Sequence, residues 1–127
     1  MILADTSFLV ALARQEDENH ARADELASKA WDRVATTDLV LSEFVTLMSR
    51  KNGNRQAHMA GEKILQSEIL MICTVHEDLP SALELVRITP KLSMCDAVSA
   101  VVMKKLKIRQ VLSFDSDFDA LGFERIC

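Results

Sequence analysis

The chain has 127 residues, 49% apolar and 27% charged. That composition belongs to one folded domain, residues 1–127, with enough apolar material to bury a core. No apolar run approaches the roughly 20 residues of a membrane span. The N-terminus carries no basic region ahead of its apolar run, as a secretory signal would, so a cytoplasmic protein with no membrane partner is expected. Cys73, Cys95 and Cys127 are odd in number, widely separated and form no CxxC pair, which points away from a disulfide framework and from zinc. Cys73 and Cys95 read as small core residues. The net charge is −4. Residues 1–45 hold nine acids and four bases (−5), and residues 46–127 hold ten acids and eleven bases (+1). An acidic chain is not an obvious nucleic-acid binder.

The first dozen residues set the organisation. Ile2 to Ala4 is a short apolar run that stops at Asp5. Thr6 and Ser7 follow, and Phe8, Leu9 and Leu12 then recur at helical spacing. This order predicts a buried strand, a turn, and a helix capped by Thr6 or Ser7. Asp5 sits at the strand's carboxyl end, where ligands bind in open α/β sheets. Desolvating a lone charge there is costly; one reason for it would be to cap the helix behind.

Further along, Gln15 to His20 is a polar break before a helix over Ala21–Lys29. Val34-Ala35-Thr36 predicts a second strand, and Asp38 an N-cap. The helix from about Leu39 to Arg50 buries Val40, Phe44, Leu47 and Met48. Glu43 lies on the edge of that stripe, not opposite it. Lys51 to Asn54 stops the helix, and Arg55–Ser67 forms the next, with Ala57, Ala60, Ile64 and Leu65 inward. Ile69 to Val75 is continuously apolar and predicts a buried strand. His76 to Ile88 is helical, with Leu79, Leu83 and Val86 inward and Pro80 in the tolerant first turn. After Thr89-Pro90-Lys91, a helix opens near Leu92 and runs to about Leu106, with Val98, Val101, Val102 and Leu106 buried. Ser93 and Asp96 stand at capping-box spacing. Gln110 to Phe114 is another buried strand, ending in Asp115-Ser116-Asp117-Phe118-Asp119, the densest acidic cluster. Phe123 to Ile126 adds a last edge strand. Strands alternating with helices predict an α/β fold with a parallel sheet covered on both faces.

Carboxylates thus stand at strand ends and helix starts, which gather on one rim of a parallel sheet. Two unit charges about 4 Å apart repel by on the order of 4 kcal/mol at an effective dielectric near 20. Converging acids therefore share protons or bind a cation. Oxygen donors with no histidine or cysteine at useful spacing suit Mg²⁺ or Mn²⁺, ions that activate water or clamp a phosphodiester. Setting Asp5, Glu43, Asp96, Asp115 and Asp117 aside changes the net charge from −4 to +1, so the remaining surface is not hostile to a polyanion. Each acid also has a plain structural reading: Asp96 caps its helix, Asp117 starts the terminal turn, Glu43 snorkels.

Asp5-Thr6-Ser7 with its apolar tail, Ser42-Glu43-Phe44, Leu92-Ser93 through Asp96-Ala97, and Ser113-Phe114-Asp115-Ser116-Asp117-Phe118 running into Leu121-Gly122 occur in an order that resembles the PIN domain. Within it the chain resembles the VapC-type ribonuclease toxins of toxin–antitoxin pairs, over essentially its whole length. The resemblance implies a Rossmann-like sheet of about five strands. It also implies an endoribonuclease whose acids bind Mg²⁺ or Mn²⁺. Asp5, Glu43, Asp96 and Asp115 match the family's acidic set, with Asp117 a close companion; which of Asp115 and Asp117 meets the metal stays open. Thr6, Ser7 and Ser113 match supporting hydroxyl positions. The implied partners are an RNA substrate, a cognate antitoxin and a second copy of the chain.

Two other classes compete. A phospho-accepting receiver domain needs an aspartate ending its third strand, and Ile69–Val75 ends in threonine and valine. A PIN-like RNA- or protein-binding module without catalysis would not need the acids intact. Among the bases, Lys104, Lys105, Lys107 and Arg109 fit a helix C-terminus, and Arg50, Lys51 and Arg55 are either surface or phosphate contacts. His58 and Glu62, four apart, read as a solvated helix face.

Overall fold

In the computed structural model, which describes residues 1–127, the short apolar runs are strands and the periodic stretches are helices. β1 (Ile2–Ala4) leads into α1 (Thr6–Ala13) and α2 (His20–Ala30). β2 (Val34–Thr37) leads into α3 (Asp38–Asn52) and α4 (Asn54–Gln66), and β3 (Leu70–Ile72) into α5 (Asp78–Ile88) and α6 (Met94–Leu106). β4 (Gln110–Leu112) connects through a 3-10 segment, Ser116–Leu121, to β5 (Glu124–Ile126). The strands form one parallel sheet in the order β3-β2-β1-β4-β5. The expected α/β architecture with a five-stranded parallel sheet is the one observed.

β1 is the centre of the sheet, with Ile2 beside Val34 on one side and Gln110 on the other. Its side chains alternate between faces. Ile2 and Ala4 join a core with Phe8, Leu9, Phe44 and Ile64 from α1, α3 and α4, while Leu3 joins Met103 of α6 and Val111 on the other face. Both faces are therefore covered, as a parallel sheet requires. From β1 the chain steps outward to β2 and β3, then returns to the opposite side of β1 to lay down β4. That reversal opens a crevice beyond the carboxyl ends of β1 and β4. Gly53, at φ 84°, turns the chain between α3 and α4 in a backbone region that favours glycine.

Several expectations are corrected. Ile69–Val75 is not an interior strand: β3 is three residues long and forms the sheet's edge, with Leu70 exposed. An apolar run does not encode which strand ends up last in the order. On α5 the buried line is Leu79, Ala82 and Leu85, which pack with Val98 and Val102 of α6, leaving Leu83 59% exposed and Val86 exposed as well. α5 has apolar residues on two faces, and docking on α6 selects one. Leu65 is 60% exposed, because Ala57, Gly61 and Ile64 carry α4's contact with the core. Leu106 is exposed and Met103 fills the core instead. Cys73 is exposed, not a core residue. Helix α1 is capped by Asp5, not Thr6 or Ser7, and α3 by Thr37, not Asp38. Asp38 instead accepts from the Thr74 hydroxyl at 2.6 Å and the Thr74 amide at 3.0 Å, tying β2's exit to β3's. Asp78 is buried and paired with Lys105 Nζ at 2.7 Å, pinning α5 to α6.

Candidate active site

The crevice is built around Asp5. Its amide donates to the Leu112 carbonyl at 3.0 Å, so Asp5 continues the β1–β4 ladder by one residue before the chain turns into α1. The carboxylate is then immobilised. Oδ1 accepts from the Thr6 amide at 2.6 Å. Oδ2 accepts from the Ser113 hydroxyl at 2.7 Å and the Ser7 hydroxyl at 3.0 Å. Those two hydroxyls are themselves oriented by backbone donors: the Phe114 amide reaches Ser7 Oγ at 3.0 Å and the Asp115 amide reaches Ser113 Oγ at 3.0 Å. A carboxylate offers about four acceptor directions. Three are occupied here, so Asp5 is held rigid with about one lone pair left toward the crevice.

The other acids arrive from separate elements. Glu43 projects from α3, Asp96 from the first turn of α6, and Asp115 and Asp117 from the turn after β4; these four line one open cleft of about 690 Å³. Ser93 caps α6 by accepting from the Asp96 amide at 3.1 Å, which fixes the helix start that carries Asp96. Asp115 plays the same part for the 3-10 segment, accepting from the Asp117 amide at 3.1 Å. The structural and site readings of Asp5, Asp96 and Asp115 are thus compatible. A capping carboxylate or capped residue at a helix start is already on the rim.

Electrostatics report the crowding. Asp5 is 3% exposed, and burial lifts its carboxyl above the ordinary range, with the repulsion of Glu43 adding and the bonds from Ser113, Thr6 and Ser7 opposing. Asp96, 8% exposed, is pushed up to about 7 by burial first, then by Asp5, Glu43, Asp117 and Asp115. Asp117 is also raised, by burial and then by Asp115, while contact with Asp96 opposes. All five acids expected from the sequence therefore act on one space. No three of them yet stand close enough to enclose an ion by themselves. Thr6 Oγ1 is buried, with the Cys95 thiol as its polar neighbour.

Some of the wall was not foreseen. Cys95 packs against the core as expected but also forms part of the cleft, and its thiol is pushed up to about 12 by burial, then by Glu43, Asp96 and Asp5. It is an inert neutral neighbour at pH 7. Thr46 and Arg50 also line the cleft; their spacing of three and seven from Glu43 is the signal that could have found them. A separate cleft of about 370 Å³ contains none of the acids. It is mostly apolar and lies between α1, α3 and α4 at the start of α2, with Leu9, Leu12, Trp31, Met48, Met59 and Ile64 among its lining.

Comparison with known proteins gives a consistent result. A family model described as the PIN domain matches residues 2–124. The chain is 38% identical to the 23S rRNA-specific endonuclease VapC20 of Mycobacterium tuberculosis, in two strains, over 99% of this chain and 98% of the relative. The crystal structure of M. tuberculosis VapC20, described as a sarcin–ricin loop cleaving toxin, superposes with a TM-score of 0.91 at 32% identity, covering 97% of this chain and 96% of that one. VapBC2 from Rickettsia felis, solved with a promoter DNA fragment, matches at a TM-score of 0.69 and 16% identity over 99% of this chain and 98% of that one; this last likeness concerns the fold alone.

Proposed function

The chain belongs to the PIN-domain family and is a homologue of a VapC RNA endonuclease, and from that premise we propose that it hydrolyses a phosphodiester bond of ribosomal RNA in the Asp5 crevice. The single observation that carries this is the convergence of Asp5, Glu43, Asp96, Asp115 and Asp117, from four separate parts of the chain, on one space. The substrate class follows from the 38% identical relative, whose target is 23S rRNA.

The donor set fits a hard divalent cation, Mg²⁺ or Mn²⁺. Every ligand candidate is a carboxylate oxygen, and burial, with the repulsion of its neighbours added, lifts the Asp96 carboxyl well above the ordinary range. Asp5, Glu43, Asp96 and either Asp115 or Asp117 would hold the cation, some of them through waters that the ion retains. Such an ion supplies Lewis-acid stabilisation of the phosphate oxygens and a more acidic water for attack. The protein's own contribution is orientation. Ser7 and Ser113 lock Asp5 in one rotamer, and the capped start of α6 holds Asp96 across from it. A bound cation would favour the ionised form of Asp96, because positive charge lowers a neighbouring carboxyl.

Two partners fit the remaining surface. The mostly apolar cleft between α1, α3 and α4 offers a seat for an antitoxin segment bearing large apolar side chains. The exposed Leu83 and Val86, one turn apart on α5, support pairing of two copies of the chain. The test of the central reading is cleavage of 23S rRNA with Mg²⁺ or Mn²⁺. Asp5→Asn and Asp96→Asn should each abolish it while the proteins stay folded; cleavage retained by both would overturn it. RNA bound but never cut by the unmodified chain would instead identify a binding module.

A further inference from the structure

The acid-lined cleft does not end at the acids. A second cleft of about 450 Å³ adjoins it, sharing Leu47 and Asp115 and continuing past Ser7 and Ser116. Of the fifteen lysines and arginines, Arg50 is the one that lines the first cleft and Lys51 the one that lines the second. Both lie in the last turn of α3. The helix dipole explains why cations are favoured there, but not why they divide between the clefts. The division is helical geometry. Successive residues are about 100° apart around the axis, so Arg50 and Lys51 point to the two sides of Leu47. Leu47, three residues before one and four before the other, forms the ridge between.

Their charges are also free. Arg14, Arg22, Arg87 and Arg125 are each engaged by a carboxylate. Neither Arg50 nor Lys51 takes part in an ion pair, although carboxylates line the same walls. An unpaired guanidinium and an unpaired ammonium on the two sides of a carboxylate cluster are placed for phosphates. Seven residues separate Glu43 from Arg50, about 10.5 Å along the helix axis, so Arg50 would serve a phosphate other than the one beside the acids.

We propose that Arg50 and Lys51 are positioning residues that hold the RNA backbone on either side of the acids, so that one unpaired strand crosses α3 over Leu47. This rests on the nuclease reading above and adds to it the path of the substrate and its form. Two clefts divided by one helix follow a single strand, as an unpaired loop presents it, and not the two strands of a helix. It also resolves the charge problem: the centre repels a polyanion and the flanks attract it.

The test measures binding of a fluorescein-labelled sarcin–ricin hairpin RNA by anisotropy, in an Asp96→Asn background so that nothing is cut, between about 50 and 200 mM salt. Arg50→Ala and Lys51→Ala should each weaken binding several-fold. Each should also reduce the slope of log affinity against log salt by about 0.7, the value for one lost phosphate contact on a single strand. Arg50→Lys should restore the slope but not the full affinity, because it keeps the charge and loses the fork. Lys104→Ala, in the last turn of α6 and away from the acids, should change neither. With Asp96 intact, Arg50→Ala should raise KM more than it lowers kcat, with an unchanged melting temperature; Arg50→Gln repeats the measurement if the alanine variant folds poorly. Parental affinity and salt slope in both the Arg50 and Lys51 variants, with the unmodified chain still cleaving RNA, would overturn this proposal and leave the nuclease reading standing. No cleavage by the unmodified chain would overturn both.

Discussion

Replacing Asp96 by asparagine should make the metal-free protein more stable at alkaline pH. In the folded chain the Asp96 carboxyl titrates at about 7, against 3.8 for an unperturbed aspartate. The folded state therefore binds more protons than the unfolded state across that interval, and stability falls as pH rises through it, levelling off above pH 7. Integrating the two titrations gives ceilings of about 2 kcal/mol of destabilisation at pH 5.5 and about 4 kcal/mol at pH 8. Metal-free protein should thus lose about 2 kcal/mol between those pH values, roughly 7 °C in melting temperature at this size. Asp5 and Asp117 are raised as well, so their ionisation opposes the metal-free fold with the same sign. Calorimetry or thermal circular dichroism in a chelator, at pH 5.5 and 8, measures it. Asp96→Asn should flatten most of the dependence and melt higher than the parent at pH 8. Saturating Mg²⁺ should raise the parent's melting temperature at pH 8, since a ligand at 100 times its Kd adds about 2.7 kcal/mol, and should have little effect on the variant. A parent whose stability is flat between pH 5.5 and 8, or a variant that keeps the full slope, would refute the reasoning.

Ser113→Ala should remove the shortest hydroxyl bond to Asp5, a charge-assisted bond worth about 1.5–3 kcal/mol. Chemical denaturation should register that loss, and kcat for RNA cleavage should fall more than KM rises, because Asp5 is loosened and not removed. Leu83→Asp combined with Val86→Asp should leave the fold intact, since both side chains are exposed, and should shift sedimentation from dimer to monomer; dimers unaffected by the pair would place self-association on another face.

The alternation of short apolar runs with helical periodicities was enough to specify a parallel α/β sheet, because side-chain period and strand length are local properties. Asp5 was legible for the same reason. A carboxylate that interrupts an apolar strand immediately before a helical pattern has to sit on the rim. Glu43 was legible from its angle to Val40 and Leu47 on one helix. What the local pattern could not carry was the order of strands. It read Ile69–Val75 as interior, and only the return of the chain across β1 put β3 at the edge and opened the crevice between β1 and β4. It could not choose between the two apolar faces of α5, a choice made by the fit of Leu79, Ala82 and Leu85 against α6.

The site divides along the same line. Which residues are acidic, and that they fall at strand ends and helix starts, is a property of the chain read as text. That Ser113, 108 positions away, donates to Asp5 Oδ2, that Cys95 stands in the cleft wall, and that Arg50 and Lys51 face different clefts, are consequences of closing the sheet. Chain periodicity sets which way a side chain points from its own element. Only packing sets which other element it then meets, because that distance depends on every turn between them.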